Sequence, residues 1–572
     1  MRPIFICLML VISIFCFSQN NAILLQNGNL IDVLTGKINN NVSILIEGEK
    51  ITRIGKNIQA PRNAQTIDCQ GKWLSPGLVD AHIHLFQSGG LYTRPDAFDL
   101  RKYVPYEQDQ QWILDNLNDL LRRYLRCGIT TVIDVGGPLR NYALRDQYNQ
   151  YPASPKIYLT GPLVSTYQPE AFNLEDAPIV KVNSKEEAIA LVQKQLPYKP
   201  DFIKIWYIAS RNLTAEENYE IIKATIDESH KHELKVAVHA TQLNTAKLAV
   251  KAGADILVHS VDNLSVDEEF VKMLKDNQVA YIPTLVVSGN YSIPAGANER
   301  ISNYDFELSN PFPLGSLFDL KHLDEPQMRA RMQETLPAMR NRNTIRDSIM
   351  QNNLKRLFDT GALVSTGTDA GNVGTMHASS YFSELQAMQE AGLTNAEILK
   401  ASTINGAKAL GKEAQFGSLE VGKRADILVL NTNPLEDLDN LLDLNYLLNR
   451  GHLIQPDTLI QVTPEILAQQ QLNAYNARNI EAFLEPYSED VEIYNFPNEL
   501  IYKGKERMRT NYANMFENTP ELHCELVNRI VLGNTVIDQE RVTGFPGDQV
   551  IEAIAIYKIE KGKIAQVYFL RK

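Results

Sequence analysis

The chain has 572 residues, 44% of them hydrophobic and 22% charged, with a formal net charge of -12. That length exceeds one ordinary core and sets an expectation of two or three domains, while the apolar content excludes a disordered chain. The acidic balance, with no Lys/Arg-rich block interleaved with aromatics, argues against a nucleic-acid surface.

Arg2 precedes an apolar run over residues 4–17, and the polar Gln19-Asn20-Asn21 follows. The run is too short to span a bilayer comfortably and reads as a signal peptide over residues 1–18. The expectation is an exported chain, periplasmic or secreted, with no transmembrane segment after cleavage. Bulky Phe15 before Cys16 weighs against a lipid anchor there. Cys69, Cys127 and Cys524 then remain, too scattered for a disulfide framework or a cysteine metal site.

From Ala22, short β-rich runs alternate with N-G, T-G and E-G turn signals, which predicts a small antiparallel sheet. The rhythm then changes to strand, helix, strand. Candidate strands cover residues 78–85, 130–136, 156–161, 202–209, 235–240, 256–261, 279–287 and 362–369, most of them apolar on both faces, as parallel strands covered by helices are. Between the fourth and fifth, "TAEENYEIIKATIDESHKH" has the Thr cap and following Glu of a capped amphipathic helix. Eight such units favour a closed (β/α)₈ TIM barrel over residues 77–411, ahead of an open doubly wound sheet. Residues 288–345 interrupt it after the seventh strand, as a lid or as a disordered loop. "FGSLEVGKRADILVLNTNPLEDL" returns to short strands and turns, so a flanking β-sandwich is expected to be split into residues 22–76 and 412–460. Residues 464–572, with helices first and hairpin-like Gly533-Asn534 and Lys561-Gly562 turns later, form a separate α+β domain in which no catalytic cluster is visible.

Polar residues recur at the ends of the barrel-type strands. His82 and His84 lie one residue apart in "VDAHIHL", which puts both imidazoles on one strand face. Lys204 sits among apolar neighbours in "DFIKIW", His239 ends "KVAVHA", His259 lies in "ILVHSV" and Asp369 ends "STGTD". A lone strand-end histidine is more often a hydrogen-bonded core residue, but that account must repeat itself at five strands. Barrel sites are assembled at this face, and imidazole with carboxylate suits Zn²⁺ and related divalent ions. An ammonium would repel such ions. Lys204 either keeps its charge beside Asp201 or another carboxylate, or reacts with CO₂ to give a carbamate whose oxygens bridge two metals.

With these residues in place, the sequence resembles the metal-dependent amidohydrolase superfamily, in its imidazolonepropionase-like and Xaa-Pro-dipeptidase-like branch. The resemblance rests on "PGLVDAHIHL", "DFIKI", "VAVHA", "ILVHS" and "STGTDAG", with "GITTVIDVGG" and "GSLEVGKRADILVL" in support, and covers about residues 22–460. It implies that His82 and His84 bind one metal with Asp369, that His239 and His259 bind a second, and that carboxylated Lys204 and a hydroxide bridge two Zn²⁺. Asp369 would take the proton of the attacking water and return it to the leaving nitrogen of an amide or peptide-like C–N bond. A mononuclear imidazolonepropionase-like or deaminase-like hydrolase stays open, as does a non-catalytic metal- or ligand-binding protein. His377, Tyr207 and Arg211 lie near barrel-end loops and stand as candidate contacts to a small-molecule or dipeptide-like substrate. The C-terminal domain resembles the NTF2-like, SnoaL-like superfamily of cone-shaped α+β folds, for which an accessory or homo-oligomerising role is expected.

Overall fold

The computed structural model describes residues 22–209 and 214–571; the expected signal peptide and Arg211 lie outside them. Eight barrel strands follow the predicted order: β1 (Leu78–Ile83), β2 (Ile129–Asp134), β3 (Lys156–Leu159), β4 (Ile203–Trp206), β5 (Val236–His239), β6 (Ile256–Val258), β7 (Ala280–Ile282) and β8 (Leu363–Val364). Each of β1–β3 and β4–β8 pairs in parallel with its sequence neighbour. The strands are shorter than the apolar runs that predict them. After Val364 the chain still bonds to β1, with Ala81 N donating to Thr366 O at 3.0 Å and Asp369 N to His82 O at 2.7 Å, which closes the barrel.

Between β3 and β4 lie two short parallel strands, Leu163–Ser165 and Ile179–Lys181, in addition to the eight expected. Leu163–Ser165 pairs with β4 and carries the sheet past the end of β3. The helix Ala215–Lys231 forms as its sequence demands, with Thr214 and Glu217 exchanging side-chain and backbone bonds in a capping box. Its buried face packs with Ile203, Ile205 and Tyr207.

Residues on both sides of the barrel share one eight-stranded sheet, joined where Trp73–Pro76 runs antiparallel to Ile427–Leu430. Ile44, Leu74, Val429 and Leu448 lie in its common core. The segment between β7 and β8 is helical, with Asn303–Leu308, Pro311–Ser316 and the 34-residue helix Pro326–Asp359. It joins the C-terminal domain. Asn473 Nδ2 donates to Pro311 O at 2.6 Å, His322 Nδ1 and His523 Nε2 are 2.9 Å apart, and Phe306 packs against the C-terminal core.

That domain places helices Pro464–Ala477, Ile480–Leu484 and Lys505–Asn518 on a six-stranded sheet. Gly533-Asn534 and Lys561-Gly562 connect its hairpins, as their turn chemistry predicts. Among the described residues no helix is long and apolar enough to cross a membrane.

Candidate metal centre

Each polar candidate reaches one end of the barrel by a local rule. On β1, alternation brings His82 and His84 to one side, while Ala81 and Ile83 pack in the core. On β4 the same rule groups Lys204 with Trp206 and sends Ile203, Ile205 and Tyr207 the other way. His239 ends β5, opposite Trp206. His259 and Asp369 follow the ends of β6 and β8 in left-handed backbone, at φ 73° and 61°. Side chains other than glycine rarely adopt that conformation, and it concentrates where a site constrains the chain. Gly367 permits the last approach, since a Cβ there would lie 2.9 Å from the His82 backbone N and 2.5 Å from Ile282 Cγ2.

His82, His84 and Asp369 form a buried cluster in which one ligand atom from each lies within 4.8 Å of the others. His82 Nε2 and His84 Nε2 are 3.4 Å apart, and Asp369 Oδ1 lies 3.2 and 3.1 Å from them. The hydrogen bonds reveal what this arrangement is for. His84 Nδ1 lies 2.8 Å from the Gly136 carbonyl, which only accepts, so Nδ1 carries a proton and Nε2 is the atom that faces the carboxylate. The backbone bond fixes the ring as outer partners of metal-ligating histidines do, and leaves Nε2 as the atom that can bind a metal. His82 Nδ1 is buried without a partner, so no other bond of that ring competes for its orientation. The donor set fits a divalent metal.

His259 and His239 continue the cluster outward. Their ring centroids are 4.4 Å apart, and His259 lies 4.8 Å from His82. His259 Nδ1 is 2.9 Å from Thr284 Oγ1 and 3.7 Å from Asp369 Oδ2. Burial lowers His82 to about 4, and burial with nearby Lys204 lowers His239 to about 3; burial and His239 take His259 well below its ordinary value. All three rings are therefore neutral and available as ligands at pH 7. Burial opposes ionisation of Asp369, but His82, His84 and His259 hold it well below the usual carboxylate range.

Lys204 is 1% exposed, and among the described residues it forms no ion pair. Asp201, the counter-ion considered from sequence, instead accepts from Arg145 and from the Leu159 backbone N–H. Burial lowers the Lys204 amine to about 7, against an ordinary 10.5.

Above the cluster lies a cavity of about 250 Å³, lined by His84, Lys204, His239, His259 and Asp369 and walled by Phe86, Trp206 and Val287. Two substrate candidates from the sequence do not line it. Tyr207 is 1% exposed in the core beneath the helices and donates its hydroxyl to Ala215 O. Both ring nitrogens of His377 are engaged, Nδ1 with Tyr124 Oη at 2.8 Å and Nε2 with Gln87 O at 2.7 Å, so it holds the Gln87 loop in place.

The sequence reading missed Asn372 and Arg94. Asn372 Nδ2 donates to Asp369 Oδ1 at 2.7 Å, and its carbonyl oxygen accepts from Arg94 and Tyr291 at 2.6 and 2.7 Å. Arg94 is anchored by Asp96 through two bonds of 2.7 and 2.6 Å. Both residues come from loops, where no periodicity marks them.

Residues 73–454 match the amidohydrolase family, and residues 468–567 match a SnoaL-like domain. Imidazolonepropionase of Shouchella clausii is 24% identical over 467 residues, covering 75% of this chain and 88% of that protein. The same enzyme of Fusobacterium nucleatum is 25% identical over 428 residues, covering 69% and 86%. A Xaa-Pro dipeptidase crystallised with methionine in its active site superposes with a TM-score of 0.58 at 23% identity, over 76% of this chain and 100% of that one. The family match spans well over half of the chain and includes every strand that carries the polar cluster. The chain therefore belongs to the amidohydrolase family of metal-dependent hydrolases acting on C–N bonds, with a SnoaL-like domain at its C-terminal end.

Proposed function

We propose that the barrel hydrolyses an amide bond in a small, dipeptide-sized substrate, with two divalent metals, most simply Zn²⁺, held by His82, His84 and Asp369 and by His239 and His259. Carboxylated Lys204 joins the two positions. The observation that carries this reading is the convergence of His82, His84 and His259 on Asp369 beside the buried Lys204 amine, which forms no ion pair among the described residues. An amine lowered to about 7 is substantially neutral in neutral solution. Its lone pair adds to CO₂, the C–N bond of a carbamate forms, and the amine proton leaves to solvent.

A divalent ion in this donor set supplies a Lewis acid for the scissile carbonyl and acidifies the attacking water. Asp369 accepts the proton as that oxygen bonds to the carbonyl carbon. It passes the same proton to the nitrogen as the C–N bond breaks, so acid and amine leave with atoms balanced. Asn372 keeps the Asp369 carboxylate turned toward the cluster. Trp206, Phe86 and Val287 exclude bulk water and set the substrate's size. The structural neighbour that is a Xaa-Pro dipeptidase holds a methionine in its active site, and the cavity of about 250 Å³ here favours a substrate of dipeptide scale.

A mononuclear reading has its own support, since the tightest group contains His82, His84 and Asp369 alone. Metal content and the intact mass of Lys204 separate the two. Two metals per chain with an added carboxylate on Lys204 support the bridged centre; one metal with a free amine at saturating bicarbonate supports the other. We also place the mature chain outside the cytoplasm, on the strength of the apolar run at residues 4–17. Cell fractionation with N-terminal sequencing tests this: protein outside the cytoplasm beginning near Gln19 is expected, and protein retained in the cytoplasm with Met1 intact contradicts it.

A further inference from the structure

Glu384 is a buried carboxyl with no part in the chemistry described above. It projects from the helix Ser380–Glu390, whose Tyr381, Phe382, Leu385 and Met388 lie in the main core, and it is 0% exposed. Burying a carboxyl is costly, so a position that served packing alone would carry an apolar side chain. Its partners show what it holds. Oε1 accepts from Leu285 N at 2.8 Å, and Oε2 accepts from Val286 N at 3.2 Å. Two consecutive backbone amides of the loop after β7 are thus held by one side chain from a distant helix.

Thr284 stands immediately before these amides at φ 45°, a left-handed conformation that a β-branched residue rarely adopts. The backbone on its other side is fixed to the end of β6. There His259 N donates to Ile282 O at 2.9 Å and Ser260 N donates to Pro283 O at 2.8 Å. Thr284 is therefore clamped between two anchors, and the clamp decides where its side chain goes. Its Oγ1 lies 2.9 Å from His259 Nδ1, and both residues line the cavity over the metal cluster. The same His259 nitrogen lies 3.7 Å from Asp369 Oδ2, in a ring carried on left-handed backbone at φ 73°. Two strained strand ends meet through one hydroxyl.

We propose, on the reading of His259 as a metal ligand given above, that Glu384 is a positioning residue for that ring. It holds the Leu285 and Val286 amides, keeps Thr284 in left-handed backbone, and so sets the hydroxyl that orients His259 toward Asp369. Groups that orient a ligating histidine in this way govern metal affinity by about 10–100-fold. Burial pushes the Glu384 carboxyl up to about 8, and in either protonation state both of its oxygens can accept. A glutamine of the same shape offers one acceptor and turns its NH₂ group against the other amide.

Calorimetric titration of Zn²⁺, with bicarbonate, into the full-length, chelator-stripped chain reads the effect without turnover. His259→Ala first identifies the equivalent of metal that depends on that ring. Glu384→Gln and Thr284→Val should each weaken that equivalent at least about tenfold and leave any other within about twofold. Thr284→Ser keeps the hydroxyl and should bind within about twofold of the wild type. The double variant Glu384→Gln/Thr284→Val should bind within about twofold of Thr284→Val alone, because both changes act through one contact, whereas independent packing defects would multiply. Thermal unfolding of the metal-free chains checks that each variant folds. Glu384→Asp, which keeps the carboxyl but shortens its reach, takes the place of an unfolded Glu384→Gln with the same expectation. Unchanged affinity in the folded Glu384 variant, or multiplied losses in the double variant, overturns the proposal and leaves His259 a ligand. Zn²⁺ binding untouched by His259→Ala overturns that reading and the proposal with it.

Discussion

Asp369 Oδ1 is shared by His82 Nε2, His84 Nε2 and the Asn372 amide, whereas Oδ2 faces His259. Asp369→Asn keeps the shape and an oxygen donor but removes the basic carboxylate. The variant should retain most of its metal while kcat/KM falls about 10²–10⁴-fold and loses the acidic limb of its pH profile. Kinetics and metal analysis on the same samples check this. Lys204 yields a second prediction. An amine lowered to about 7 from 10.5 is neutral above pH 7 and protonated below it, and only the neutral form reacts with CO₂. As pH falls from 8 to 6, metal held through Lys204 should be lost. Metal held by His82, His84 and Asp369 should remain, because His82 does not protonate until about pH 4. Metal analysis after dialysis across that range should show two equivalents declining to one. The strand-end polar candidates were legible because alternation and repetition marked them. Tyr207 was misplaced although the same alternation contained the answer: Lys204 and Trp206 share a face, and the next residue must turn away. Arg94 and Asn372 were illegible, since loop positions acquire their partners only when distant segments meet.

At the scale of elements, all eight barrel strands were readable from apolar runs, but their ends were not. β6 and β8 stop pairing just before left-handed backbone delivers His259 and Asp369, and hydrophobicity does not report that bend. The tail of β8 is the clearest case, with two residues of regular strand followed by individual bonds to β1 that set Asp369 beside His82. Gly367 makes that approach available. Gly367→Ala should press on Ile282 and the His82 backbone and destabilise the chain by about 1–3 kcal/mol, the usual range for overpacking. It should also weaken metal binding, because His82 is displaced. Thermal unfolding with and without added metal checks both effects, and an unchanged metal affinity would show that β1 and β8 tolerate a wider gap. The strands Leu163–Ser165 and Ile179–Lys181 were missed because three-residue runs carry too little periodicity to register.

Across the whole molecule, the insertion after β7 links the C-terminal domain to the catalytic end of the barrel. Asn473 holds Pro311 in the insertion; from there Ser316 Oγ accepts from Leu91 N at 3.0 Å and Asp319 accepts from the Tyr92 hydroxyl at 2.8 Å. Arg94, which fixes Asn372, follows two residues later. The sequence marked this insertion as lid or disorder, because its helices are stabilised by a domain far away in the chain. A chain ending at Gln461 should therefore keep the metal of the inner cluster but unfold at lower temperature and lose turnover several-fold, by loosening the loop that carries Arg94. Calorimetry and kinetics on the two chains check this, and equal turnover would uncouple the domains. We propose above that two metals joined through Lys204 make the barrel an amide hydrolase. Its most direct test is titration of Zn²⁺, with bicarbonate, into chelator-stripped enzyme while following amine release from a panel of dipeptides. Turnover should rise until two equivalents are bound and then level off. A plateau at one equivalent would contradict the bridged centre, and a folded, metal-loaded chain that cleaves none of the panel would contradict the assignment of dipeptide-sized amides.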